Sequence, residues 1–427
     1  MLLLGLLPSK TLIRPGDVLA AARRVLGAAE AVTGSVDATA AFTQRDSMVS
    51  NWSDAGQEEW QHDEGIELIR GRGRLTGERR IDVDTDGAGD ATRSLTAVRA
   101  VVIATGTSPA VPPIEGLSEA APWDNRDVTA AKELPRRLLV LGGGAIGAEM
   151  AQAFKRLGCE EVTLVEGRDR LLANEEPFAG DELRAAFEEE GITVITGAKV
   201  TAVHRDKTDG PVTTSLDDGR ELAADEILVA VGRRSNTTDI GLDTVGLGDL
   251  AGHFLAVDER LRVRGIDGSW LYAVGDCNGL ALLTHMGKHQ ARQCGDVILG
   301  KDATDVADDG IVPRVTFTDP QGVRGGAHRA PGSGGGDQRS GADLRHRRRG
   351  RRLDHGHRRL RHQPAGGGRG PPARGGRHLH RARRPGAAAL ATRGHRRTGP
   401  VERLWHAVPA FPTVSEVWLR LLEAYGL

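Results

Sequence analysis

The sequence predicts an α/β fold in which a parallel sheet is covered by helices on both faces. Three observations carry this. From Leu134 onward, short apolar runs alternate with stretches of helical periodicity. One of those runs passes directly into the glycine turn Gly142-Gly143-Gly144-Ala145-Ile146-Gly147, and a buried strand ending on glycine recurs at 101–106 and at 271–276. Strands that alternate with helices are joined by crossovers, and crossovers produce parallel sheets buried on both sides.

Residues 10–70 read mostly as helix, with alanine-rich helical spacing from Asp17 to Val32. Val101 to Ile103 is then a strand running into Ala104-Thr105-Gly106. Pro109, Pro112 and Pro113 mark a surface connection and a domain boundary. The alternating region reads as a strand at 138–141, a helix at 145–157, a strand at 161–166, a helix at 180–190 and a strand at 192–196. A hairpin-like stretch follows, then a buried strand at 226–232, the strand-then-glycine form at 271–276, and a helix over 285–299.

Composition narrows the class without naming the chemistry. A net charge of −1 over 427 residues gives no global attraction to nucleic acid or anionic membrane. Cys159, Cys277 and Cys294 are scattered and form no CxxC, zinc or disulfide spacing, so a reducing, cytoplasmic setting is expected. The opening Met-Leu-Leu-Leu-Gly-Leu-Leu is too short to span a membrane and lacks the basic leader of a signal peptide, and a soluble chain is expected.

The strongest motif is Leu138-Leu139-Val140-Leu141 followed by Gly142-x-Gly144-x-x-Gly147 and a helix. The first glycine permits the tight turn, the second lets main chain approach a pyrophosphate, and the third lets helix and strand pack closely. The helix N-terminus, at Ala145 and Ile146, presents free N–H groups to the phosphates. Glu166 follows about twenty residues later at the end of the next strand, where a carboxylate accepts from a ribose 2′-hydroxyl. That favours NAD over NADP, although Arg168 and Arg170 weaken the preference. The alternative is a glycine-rich turn with no ligand.

With these residues in place the chain resembles the class I pyridine nucleotide-disulfide oxidoreductases, the group of dihydrolipoamide dehydrogenase and mercuric reductase. The matching segments are Pro8-Ser9-Lys10, Ala104-Thr105-Gly106, the Gly142–Glu149 turn, Val231-Gly232-Arg233, Tyr272-Ala273-Val274-Gly275-Asp276 and Phe411-Pro412-Thr413-Val414-Ser415-Glu416. They stand in the family's order over residues 5–320 and 401–427. The resemblance implies two three-layer dinucleotide-binding domains and an α+β interface domain that builds a homodimer. It places an incomplete FAD domain at 1–112 and 255–310, an NAD(P) domain at 113–254, and a degenerate interface domain at 311–427. It also implies that Lys10 pairs with Glu149 beside the flavin N5, where hydride arrives, and that Asp276 binds the ribityl chain. Thr105, Gly106 and Gly275 would line the FAD, and Gly232 would join the cofactor-binding set.

Three departures stand beside the match. The family's first GxGxxG turn, for the FAD pyrophosphate, precedes Pro-Ser-Lys by more residues than this chain has there, so that turn is expected to be absent. The family's Cys-x4-Cys falls on Met1 and Leu6, which cannot exchange disulfides, so dithiol chemistry is excluded for the chain as written. The acid–base histidine before Pro412 is replaced by Phe411, and His406 reads as an ordinary interface residue.

Residues 322–400 change character abruptly, to Arg, Gly, Ala, Pro and His with no lysine and almost no acid. The composition cannot offset its ordering entropy and reads as disordered. It matches a GC-rich coding region read out of frame better than a basic arm that grips nucleic acid, and its histidines imply no metal site. Family-like sequence returns at Val401 and closes with an amphipathic helix at 414–425. Three functions remain open: hydride transfer from NADH to FAD and on to a small-molecule acceptor, a catalytically dead NAD(P)-binding remnant, and nucleic-acid binding.

Overall fold

The computed structural model describes residues 6–85, 92–207, 210–303 and 312–324, with a few positions between 408 and 419. It opens with three helices, α1 (Leu7–Arg23), α2 (Ala38–Met48) and α3 (Ala55–Asp63). Pro8 sits in the first turn of α1, where its missing N–H costs nothing, and Leu12 and Ile13 are buried. Apolar spacing from Asp17 onward overestimates this helix. It stops at Arg23, and only a 3-10 turn at Ala29–Ala31 follows. Asp37 caps α2 by accepting from the Ala40 N–H at 3.0 Å.

A three-stranded antiparallel meander then forms from β1 (Arg72–Gly77), β2 (Arg80–Asp84) and β3 (Thr92–Thr96). Sequence reading assigned no element here, because each strand buries at most one side chain and shows weak periodicity. Two short strands, β4 (Val101–Ile103) and β5 (Thr107–Pro109), and the helix α4 (Asn125–Ala130) lead into the main sheet.

That sheet contains β6 (Arg137–Leu141), β7 (Glu161–Glu166) and β8 (Ile192–Thr196), joined by α5 (Ala145–Leu157) and α6 (Pro177–Glu189). After the antiparallel strands β9 (Val200–Arg205), β10 (Val212–Leu216) and β11 (Glu221–Ala224), the chain returns as β12 (Glu226–Val229) on the far side of β6. The spatial order is β12-β6-β7-β8, all parallel. Leu138 and Val140 of β6 pack with Phe154 and Phe187 on the helical face, whereas Leu139 and Leu141 pack with Val203 of β9 and Val212 of β10. Burial on both faces explains why these strands read as unbroken apolar runs. Proline at N1 starts α6 at Pro177, earlier than helical spacing alone places it.

The remaining strands pair across long stretches of chain. β13 (Arg233–Ser235) runs antiparallel to β5, and β14 (Leu271–Ala273) runs parallel to β4. The apolar run at 226–232 therefore ends as a strand at Val229 and resumes in a different sheet. α7 (Thr284–Ile298) follows, and β15 (Arg314–Thr316) pairs with β16 (Gly322–Arg324). β16 corrects the reading of 322–400 at its first three residues, which are ordered as a strand. The rest of that stretch, Met1, His406 and most of the predicted helix at 414–425 lie outside the described residues.

Phe154 and Phe187 are fully buried in the cluster between sheet and helices. Phe154→Ala leaves a cavity under β6 and is expected to cost about 3–5 kcal/mol. A denaturant titration of the folded protein measures this as a lowered midpoint at unchanged slope.

Candidate functional site

The turn after β6 is shaped by what its glycines exclude. Gly142 has φ +108°, and a Cβ there would stand 2.6 Å from the Ala230 carbonyl oxygen. A Cβ on Gly147 would stand 1.9 Å from the Gly142 oxygen, so only glycine lets α5 come this close to the strand. Gly144 differs from both, since a Cβ there would meet no atom within 4 Å. This gap lies at the N-terminus of α5, whose first turn carries no side-chain cap and whose Ala145 and Ile146 are exposed. Open space beside uncapped N–H groups suits the pyrophosphate of a dinucleotide.

Glu166, at the end of β7, reaches back to this turn. Its Oε2 accepts from the Gly143 N–H at 2.7 Å, and its Oε1 accepts from the Arg168 N–H at 2.9 Å. Each oxygen retains a lone pair for a sugar hydroxyl. Arg168 donates to Asn174 Oδ1 at 2.9 Å, and Arg170 donates to the Ala173 carbonyl at 3.0 Å. Both arginines are thus tied to their own loop.

Lys10, on α1, and Glu149, on α5, meet as the family resemblance implies, with Nζ 2.5 Å from Oε2 and both side chains largely buried. The other carboxylate oxygen accepts from the Phe317 N–H at 2.9 Å, and the Phe317 ring lies 4.6 Å from Nζ. Phe317 was missed because it lies in an irregular stretch far along the chain, with no motif spacing to mark it.

A second buried carboxylate, Asp276, lies after β14. The pairings β5–β13 and β4–β14 bring Thr107 and Arg233 to it. Thr107 Oγ1 donates to Oδ2 at 2.8 Å, and Arg233 Nη1 lies 2.8 Å from the same oxygen. Oδ1 accepts no hydrogen bond from the described residues, and it is the acceptor an FAD ribityl hydroxyl would use. Gly106 and Gly275, with φ +70° and +73°, turn the chain beside it. Asn236 Nδ2 donates to the Thr105 carbonyl at 3.1 Å, fixing that loop. Gly232, with φ +158°, forms the link between β12 and β13. Arg233 stood within a quoted motif, but only the strand pairing reveals its partner.

All three cysteines are buried and unpaired. Burial pushes the Cys159 and Cys294 thiols up to about 11 and raises Cys277 as well. None is a thiolate at neutral pH. Near the end of the chain, Phe411 packs beneath Lys288, whose Nζ lies 4.0 Å from the ring centre. Its N–H donates to His285 Nδ1 at 3.2 Å, while His285 Nε2 donates to the Pro313 carbonyl at 2.9 Å. His285 is therefore a neutral imidazole. Burial pulls it down to about 4 from an ordinary 6.5.

Comparison with known proteins identifies the family. A family model described as pyridine nucleotide-disulphide oxidoreductase matches residues 2–294, more than half of the chain. The chain belongs to that family. A mercuric reductase of Shewanella putrefaciens is 35% identical over 221 residues, covering 52% of this chain and 38% of that protein. A dihydrolipoyl dehydrogenase of Thermus scotoductus is 30% identical over 322 residues, covering 74% of this chain and 66% of that protein. The chain thus spans less than two thirds of the length of these curated relatives. Among solved structures, LpdA of Mycobacterium tuberculosis superposes with a TM-score of 0.64 at 27% identity, covering 75% of this chain and 68% of that one. The family is one of flavoproteins that bind FAD and use NAD(P), and it has the α/β architecture seen here. Among the described residues no helix is long and apolar enough to cross a membrane.

Two outcomes are expected. Gly144→Val places a side chain in the open space, so the protein should fold with an unchanged denaturant midpoint yet lose NADH binding by calorimetry; Gly147→Val should destabilise the fold itself. His285 gives a pH effect of definite sign. Its folded value lies below its unfolded one, so its contribution is complete above about pH 6.5 and lost as pH falls toward about 4. The loss is on the order of 3 kcal/mol at most. Asp17, pushed up to about 6 by burial, has the opposite sign, so the measurement is the stability difference between wild type and His285→Gln across this window.

Proposed function

We propose that the protein is an NADH-dependent flavoprotein oxidoreductase that passes electrons to a small-molecule acceptor without dithiol chemistry. The observation that carries this is that one helix, α5, carries both the open, uncapped N-terminus at Gly144 and the buried Lys10–Glu149 pair. Glu149 of the Lys10–Glu149 pair lies five residues along α5 from the open Gly144 position, while one oxygen of Asp276 takes no hydrogen bond from the described residues. FAD, when bound, would supply the electron store that accepts hydride from NADH and releases electrons to a quinone, a dye or oxygen.

The chain's own residues then have separable tasks. Gly142 and Gly147 set the close approach that aims the α5 N–H groups at the dinucleotide phosphates. Glu166 takes the adenosine ribose hydroxyls and repels a 2′-phosphate. The Glu166 carboxylate makes NAD the preferred coenzyme, while Arg168 and Arg170, which donate only to the neutral oxygens of Asn174 and Ala173, keep their charge and weaken that preference. Lys10 and Glu149 form a fixed ion pair where hydride is transferred, and Asp276 accepts from the ribityl chain. Leu6 and three buried, neutral thiols leave no nucleophile for disulfide exchange. A cytoplasmic location and the family's dimeric assembly belong to the same reading.

Purified protein supplemented with FAD should retain flavin absorbance after gel filtration and reduce a quinone or tetrazolium dye with NADH. Loss of all flavin, with NADH still bound, would instead select a dinucleotide-binding remnant. Glu166→Gln keeps one oxygen for the turn but removes the charge. It should weaken NADH by roughly tenfold, as the loss of one charge-assisted hydrogen bond predicts, and narrow the gap between NADH and NADPH in steady-state assays.

A further inference from the structure

Phe317 follows β15 in the stretch Thr316-Phe317-Thr318-Asp319-Pro320. Its N–H and its ring both bear on the Lys10–Glu149 pair. The N–H occupies Glu149 Oε1 at 2.9 Å, leaving Oε2 to Lys10. The ring covers the ammonium at 4.6 Å, on a lysine side chain only 16% exposed. A buried ammonium with one anionic partner has donors left over, and an aromatic face supplies negative potential to them without admitting water.

The placement of Phe317 is itself enforced from α5. Two residues on, Gln152 Nε2 donates to the Asp319 carbonyl at 2.9 Å and Oε1 accepts from the Asp319 N–H at 2.7 Å. One carboxamide thus imitates the edge of a strand. Arg156 Nη2 then meets the Asp319 carboxylate at 2.8 Å. Glu149, Gln152 and Arg156 stand at i, i+3 and i+7 and so share one face of the helix, which sets the register of residues 317–319.

We infer that Phe317 is a positioning residue for the Lys10–Glu149 pair. Its main chain divides the carboxylate between two donors, and its ring holds the lysine and excludes water from that side. The catalytic meaning rests on the flavoprotein reading, whereas the geometry requires no cofactor.

Acetylation of the purified full chain by acetic anhydride, read at Lys10 by peptide mass spectrometry, tests this directly. Lys301, 64% exposed, serves as the internal reference. Lys10 should react more slowly than Lys301 in wild type. Phe317→Leu keeps an apolar residue but no aromatic face, and should raise Lys10 reactivity roughly three- to tenfold; Phe317→Tyr should restore protection. Gln152→Ala, which releases the segment, should raise it as Phe317→Leu does. Where FAD and NADH are bound, Phe317→Leu should also lower kcat for dye reduction with the KM for NADH unchanged. Equal Lys10 labelling in wild type, Phe317→Leu and Phe317→Tyr overturns the inference. Since labelling needs neither flavin nor NADH, that result is distinct from a failure of the oxidoreductase reading, which shows as absent flavin and absent dye reduction.

Discussion

The structure depends on one close approach, that of α5 to the end of β6. Helix and strand meet where Gly147 lies against the Gly142 carbonyl, and no side chain larger than hydrogen fits between them. This contact fixes the origin and direction of α5. Everything the helix carries is then placed at 1.5 Å of rise per residue. Its N-terminus faces the open space at Gly144, Glu149 reaches Lys10, Gln152 grips Asp319, and Arg156 closes a network with Asp17 and Glu190. One rigid rod thus ties the open space at Gly144 to an ion pair contributed by distant parts of the chain.

The buried charges follow a common logic. A charge removed from water is tolerated when its hydrogen-bonding capacity is met by fixed partners. Glu149 has a lysine and a main-chain N–H, and Asp276 has a threonine and an arginine on one oxygen. Arg156, with a side chain 9% exposed, contacts three carboxylates. The cysteines show the reverse case. Buried among apolar groups, the thiols are held in their neutral form.

Much of this was legible in advance wherever local chemistry determined the result. The strands at 161–166 and 192–196 and the helix at 145–157 have the bounds that periodicity assigned, because burial on both faces leaves no ambiguity of register. The glycine turn was legible because Gly142 and Gly147 answer separate steric demands at a fixed spacing between strand and helix. The Lys10–Glu149 pair was read only through family resemblance, since 139 residues separate its members and no spacing rule spans that distance. The β1–β3 meander escaped notice because its solvent-facing strands carry little hydrophobic signal. Helical spacing past Arg23 misled because apolar period without tertiary support does not sustain a helix.

The sequence by itself determined the central parallel sheet and the turn at 142–147, since these follow from short-range sterics and side-chain chemistry. Only tertiary structure decided that Arg233 and Thr107 grip Asp276 and that Phe317 covers Lys10. Each of those outcomes depends on strand pairing or helix packing between distant segments, and contacts of that kind are set by the shape of the folded whole.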